Sequence, residues 1–441
     1  MEQRRKNLTQ LFIPICLETL LYMLSGMVDT LMLSSVNDQA VGAVGTANTY
    51  IGIFIIMFSV ISSGMVAVMT QNIGAGRPGV AYQARQLGLT FNAVLGIIVS
   101  LILTFGAGAI LAGVGVADAL MQPARTYLQI VGGFCILNAL IPICSSYLRA
   151  FGFSKEPLYA SIIGNVINFC LNAFFLFVLH KGVAGVATAT VISRIINLVI
   201  VVLLGAVLVK AKQHPERESN RAVMGQIIRI GLPSACETAI YNVSMTLVIR
   251  FLNQMDAQGL NVTARSYTMQ ITNFSYCVGA ALAQANAIMT GWHIGAKEYD
   301  ACDRGTKKAA VIGVIVAVIL ETVFTLCSGW IMQLFSKDPQ MVSLVGKLLA
   351  IDIVLEIGRV TNLVYGQALK TSGDAVFPVV MGVCFMILCS VGGTYLFGIR
   401  LGLLAVGAYI GMAGDECVRA VGMYLRWKSG KWKEKGLVKS R

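Results

Sequence analysis

Long apolar runs, each about the length that crosses a bilayer, follow one another through the 441-residue chain. Twelve can be read, at 8–34, 42–70, 86–113, 125–149, 156–179, 182–209, 226–254, 263–290, 309–334, 343–369, 376–398 and 401–425. Short segments rich in Gly, Pro and basic residues separate them, so the pattern predicts twelve helices joined by turns. The expected fold class is an all-α membrane protein. The basic residues Arg4, Arg5 and Lys6 lead into a run too long, and too polar on one side, for the core of a cleavable signal, so none is expected.

Two of these runs carry the same polar string. Pro14, Glu18, Thr19, Tyr22 and Ser25 recur in type and spacing as Pro233, Glu237, Thr238, Tyr241 and Ser244. In a helix the Glu, Tyr and Ser of each string form one stripe. The loops repeat as well. Thr70 to Arg77 after the second run matches Thr290 to Lys297 after the eighth. Leu148 to Pro157 after the fourth matches Leu369 to Pro378 after the tenth, and the offset stays at 219–221 residues. The chain is therefore a duplication of six spans. Six is even, so both copies enter the membrane in the same direction, as parallel repeats about an axis along the membrane normal. The expected organisation is an N-lobe at 1–209, a flexible cytoplasmic linker at 210–222, and a C-lobe at 223–441 with a short basic tail.

Composition agrees with a membrane protein: 56% of residues are hydrophobic, 12% are charged and the mean hydropathy is +0.74. A soluble domain averages about 25% charged residues. The net charge of +13 could point to nucleic acid, but most of the 34 Lys and Arg fall in segments that are cytoplasmic if the N-terminus is inside. Outer loops hold Arg125, Lys181, Arg265, Lys337, Lys347 and Arg400, while Arg194, Arg250, Arg359 and Arg419 fall in spans. That asymmetry predicts a multi-pass cell-membrane protein with both termini in the cytoplasm and no nucleic-acid partner. The eleven cysteines form no C-x-x-C pair and read as small apolar filler. The three histidines are scattered near span ends, so no His-based metal centre is expected.

Polar residues inside spans are costly and mark candidate sites. Asp29 follows Glu18 by close to three helical turns, so Glu18, Tyr22, Ser25 and Asp29 share one stripe. The position equivalent to Asp29 in the second copy is Val248, so this carboxylate belongs to the first copy alone. Asn165, Asn168 and Asn172 form a stripe on the fifth span, suited either to binding or to interhelical hydrogen bonds. Asp352, Glu356, Arg359 and Asn362 cluster on the tenth. Glu356 and Arg359 are spaced to pair as a structural ion pair, and Asp415, Glu416 and Arg419 read the same way. Glu321 stands alone in the ninth span. No H-E-x-x-H or G-x-S-x-G motif suggests an enzyme.

In order and spacing these landmarks resemble the multidrug and toxic compound extrusion (MATE) family over essentially the whole chain. The resemblance rests on Pro14 to Asp29, Gln71 to Gly76, Arg149 to Pro157 with Asn165 and Asn168, and Leu369 to Asp374. Glu356 to Asn362 and the tail Arg426 to Trp432 are similar to one subgroup. The resemblance implies a monomeric antiporter that exports organic cations or other amphiphiles in exchange for H⁺ or Na⁺, without a cofactor. It places Asp29 and Asn168 in an N-lobe cation site, with Na⁺ possible at Asp29 and no other metal. Where relatives carry an aspartate, this chain has Asn172, which leaves Asp29 as the titratable member. Glu18, Tyr22, Ser25, Asn165, Glu237 and Tyr241 are expected to line a cavity or gate. A flippase for a lipid-linked precursor is the alternative; few arginines lie in the spans to bind such a substrate.

Overall fold

The computed structural model describes residues 6–35, 38–113, 116–256 and 259–438. Arg4, Arg5, Lys439 and Arg441, which contribute to the charge asymmetry, lie outside them. The described residues are helical almost throughout and contain no strand. The chain divides into two compact units, 1–232 and 233–441.

The first unit starts with α1 (Leu8–Ser34), α2 (Asp38–Gly74) and α3 (Pro78–Gly113). The fourth span is broken into α4 (Asp118–Gly133) and α5 (Ile136–Ala150), bent by 43°. At the break, Cβ atoms on Gly132 and Gly133 would collide with Leu103 and Thr104 of α3, so the glycines let the bent span lie close against its neighbour. The fifth span is α6 (Lys155–Ala173) with a π-helical end at Phe174–Val178, and the sixth is α7 (Gly182–Leu208). Its core joins Ile51, Phe58, Leu103 and Leu128 from α2, α3 and α4.

The segment 210–222 is fastened to α3. Gln83 Nε2 donates to the Glu218 carbonyl at 2.7 Å, and the Glu218 N–H donates to Gln83 Oε1 at 3.0 Å. Arg77 pairs with Glu218 at 2.7 Å. These contacts fasten Glu218 of the segment to α3 and to the turn before it. The division into units falls beyond it, at Pro233 within α8 (Asn220–Met255).

The second unit continues with α9 (Leu260–Gly295) and α10 (Tyr299–Leu326). The expected ninth run to 334 is interrupted: α10 ends at Leu326 and a short α11 (Ser328–Met332) follows. Next comes α12 (Pro339–Ser372), whose N-cap Asp338 accepts from the Gln340 N–H, with Pro339 in the first helical position. The eleventh span is α13 (Val376–Phe385), prolonged by π-helical turns at Met386–Val391 and Thr394–Arg400. The last is α14 (Leu404–Lys428). Val248, Leu252, Leu348, Tyr409 and Met412 lie in the core of this unit.

Among the described residues, counting each bent or π-ended pair once, and α11 with α10, gives twelve spans, six before and six from α8 onward. Among the described residues, seven helices are long and apolar enough to cross a membrane by themselves, and the bent fourth span makes an eighth. The other four, α8, α9, α12 and α14, are more polar and carry Glu237, Arg265, Asp352 and Asp415 among their charged side chains. The duplication is visible in local geometry. Arg149 and Lys370 each precede a glycine in the left-handed region, Gly152 at φ 86° and Gly373 at φ 99°. Glycine adopts this region without the Cβ clash, which is why it ends these helices.

Candidate functional site

In the first unit, α1 and α6 bring Asp29 to the asparagine stripe. Asn172 Nδ2 donates to Asp29 Oδ1 at 2.7 Å and to Asn168 Oδ1 at 3.2 Å. Asn168 and Asn172 are buried, and Asn172 Oδ1 is left without a hydrogen-bond partner. Asn165, on the same helix, is half-buried. Two residues from further along the chain complete the surroundings. The charge of Arg194, on α7, acts on Asp29 and on Tyr127 of α4, and the Tyr127 hydroxyl reaches Asn48 and Thr190. The arrangement is a carboxylate, amide and phenol oxygens and one fixed positive charge. It can hold a small cation or a proton at Asp29 in competition with Arg194.

Sequence reasoning did not place Arg194 or Tyr127 here. Arg194 carried a signal, since a charge within a span is rare and asks for a partner. Tyr127 carried none, because one tyrosine near a span end is unremarkable.

Glu18 lies on the same stripe as Asp29 but has its own partners. Arg149, at the end of α5, pairs with it at 2.5 Å, and Ser161 Oγ of α6 donates at 3.4 Å. The second unit repeats the arrangement: Lys370, at the end of α12, pairs with Glu237 of α8 at 2.6 Å. Each glutamate of the duplicated string thus meets the basic residue of the duplicated loop. Tyr22 is 71% exposed and Tyr241 37% exposed, while Ser25 is half-buried.

The second unit also gathers the charges of α12 and α14. Glu356 and Arg359 are in contact, and Arg359 reaches Glu416 at 3.6 Å. Arg419 pairs with Asp415 and with Glu416, each at 2.9 Å. Asn362 Nδ2 donates to Glu416 at 3.0 Å, and Ser390 Oγ donates to Asp415 at 2.9 Å. A Cβ on Gly358 would meet the backbone of Glu416 and Cys417. That close crossing lets the two short-range pairs read from sequence merge into one network. Glu321 of α10 is not isolated: it lies against Asp352 and Glu356.

The duplication and the polar spans have a counterpart among known proteins. The MatE family model matches twice, at residues 14–174 and 233–396, an offset of 219. The chain belongs to the MATE family. Its relatives include the uncharacterized transporter YisQ of Bacillus subtilis, 34% identical over 96% of this chain and 94% of that protein. A probable multidrug resistance protein NorM of Thermotoga maritima is 22% identical over 98% of this chain and 94% of its own length. A crystal structure of a MATE protein in the straight conformation superposes with a TM-score of 0.86 at 19% identity, covering 97% of this chain and 96% of that one. This MATE chain is a multi-pass membrane protein of a transporter family.

Proposed function

We propose that this MATE protein is a cation-coupled antiporter that exports organic cations or other amphiphilic compounds by alternating access, with Asp29 as the coupling carboxylate. The observation that carries this is the junction of Asp29, Asn168 and Asn172, where a buried amide oxygen stands unpartnered beside a carboxylate inside a span. Family membership and the name of the Thermotoga relative support an export role. In this scheme H⁺ or Na⁺ binds Asp29 from outside and favours substrate release. On the cytoplasmic side the ion leaves and substrate binds again. Coupling requires that ion and substrate each bind the two states with different affinity. Arg194 bears on this directly: its positive charge acts on Asp29 and opposes an entering cation.

The test is counter-transport by the purified chain in proteoliposomes, with a fluorescent organic cation as substrate and ΔpH or ΔpNa imposed in turn. One gradient is expected to drive efflux, and Asp29→Asn is expected to abolish it while the protein remains folded in the membrane. Undiminished efflux by the variant, or no response to either gradient, overturns the proposal.

A further inference from the structure

The basic tail of the chain is built into the second unit. After α14, Gly430 at φ 72° reverses the backbone into a 3₁₀ turn at Lys431–Glu434. Trp432 of this turn folds back onto Trp427 of α14. The two rings stack at 4.2 Å with 8° between their planes, and Trp432 Nε1 donates to the Trp427 carbonyl at 2.9 Å. Both residues are 1% exposed. Trp427 Nε1 donates to Asp303 of α10 at 2.9 Å, and Tyr299 of α10 meets Trp432 edge to face at 5.9 Å. Beyond the turn the chain crosses Gly373, where a Cβ would collide with the Lys435 carbonyl, and Leu437 is buried. Arg426 pairs with Asp374 at 2.7 Å. The tail thus clasps the ends of α10, α12 and α14.

Burial of Trp432 and Leu437 leaves the residues around them facing outward. Lys428, Lys431, Lys433 and Lys435 are exposed, and Lys433 lies over the Trp432 ring at 5.8 Å. Arg304 and Lys308 are exposed near the start of α10, and the exposed acids Asp300 and Glu434 offset part of this charge. Apolar side chains open to the outside begin within a few residues. Val376 and Val380 of α13, and Val421 and Leu425 of α14, are each more than half exposed. In a chain that spans a bilayer, lipid covers such faces. The lysines therefore stand at the depth of the headgroups, on the membrane face that the charge asymmetry predicts to be cytoplasmic.

We propose that this clasp is a binding surface for anionic phospholipid. Lys428, Lys431, Lys433 and Lys435 contact the headgroups, and the Trp427–Trp432 stack holds them there. A cluster of lysines immediately beside a span attracts anionic lipid. Lysines on a free tail lose chain freedom when they bind, whereas here the backbone is already fixed, which lowers that cost. The surface uses none of the residues of the coupling scheme, so the proposal holds or fails independently of it.

The test uses the full-length protein in phosphatidylcholine bilayers, with spin-labelled phosphatidylglycerol or phosphatidylcholine as the probe. Electron paramagnetic resonance separates lipid held at the protein from lipid in the free bilayer. Wild type is expected to hold phosphatidylglycerol about fivefold more strongly than phosphatidylcholine, the gain from one lysine near an anionic surface. Combining Lys428→Gln, Lys431→Gln, Lys433→Gln and Lys435→Gln is expected to remove at least half of that preference. A control removes as many charges elsewhere on the predicted cytoplasmic face, through Lys155→Gln, Lys210→Gln, Lys212→Gln and Arg221→Gln, and is expected to lower it less. Should the fourfold tail variant fail to fold, the pair Lys431→Gln and Lys433→Gln gives the same readout at smaller amplitude. The proposal is overturned if wild type holds the two lipids equally, or if tail and control variants lower the preference equally. It is also overturned if the preference persists in about 1 M salt, where charges are screened beyond about 3 Å.

Discussion

At the residue scale, the informative contrast is between Glu18 and Asp29. They share one helix and one stripe, yet Glu18 is held by Arg149 at 2.5 Å while Asp29 is held by the neutral Asn172 at 2.7 Å. The first is a closed ion pair fastening α1 to the end of α5. The second leaves a carboxylate whose charge is not cancelled by a bonded partner, which suits a group that gains and loses a cation. Glu237 with Lys370 repeats the closed pair in the second unit. Removing Arg149 strands Glu18 in a largely buried position, so Arg149→Ala is expected to cost about 1.5–3 kcal/mol, the range for a hydrogen bond to a charged group. Adding Glu18→Gln should return part of that loss, seen as a higher melting temperature for the double variant than for Arg149→Ala in detergent. Equal melting of wild type and Arg149→Ala would mean the pair is structurally idle. Both members of each pair could be found in the sequence as repeats; that they meet could not, because Glu18 and Arg149 are separated by 131 residues.

At the element scale, the spans follow from run length, since a bilayer core requires about 20 apolar residues; eight of the described spans meet that by length and composition, while α8, α9, α12 and α14 are long enough but more polar. Their irregularities do not. The bend in the fourth span and the stop of α10 at Leu326 leave little trace in composition. Both fifth-position spans end in π-helical turns, Phe174–Val178 in the first unit and Met386–Val391 with Thr394–Arg400 in the second. A π turn adds a residue to the helical repeat and changes which side chains face inward beyond it, without requiring a distinctive sequence. The turns after α2 and α9 show the duplication diverging. Gly76 has φ 74°, and Lys297, at the matching position, has φ 61°. A side chain in that region carries a steric cost that glycine avoids. Relief of that cost, about 1–2 kcal/mol, outweighs the added unfolded-state freedom of glycine, about 0.5–1 kcal/mol, so Lys297→Gly is expected to stabilise the protein by about 0.5–1 kcal/mol. Gly76→Ala should do the reverse. Thermal melting of the two variants checks the pair, and a lower melting temperature for Lys297→Gly would show that the lysine side chain contributes more than its backbone costs.

At the scale of the whole molecule, one gene duplication has produced two units with different polar interiors. The first places a single carboxylate among asparagines. The second merges Glu356, Arg359, Asp415, Glu416 and Arg419 into a network, with Asp352 and Glu321 at its edge. The basic residues predict the orientation: both termini in the cytoplasm. An epitope at either end should be open to protease in inside-out vesicles and protected in right-side-out vesicles, and the opposite pattern would reverse the topology. The sequence by itself determined the number of spans, the duplication, the family and Asp29 as a candidate, because each depends on local composition or on spacing along one helix. Only the tertiary structure decided which charges meet: Glu18 with Arg149, Arg359 with Glu416, Asp29 near Arg194, and Glu321 against Asp352. Those meetings depend on where helices cross, as at Gly358, where the missing side chain lets α12 and α14 come together. A crossing point is fixed by packing between distant segments, and no short window of sequence contains both.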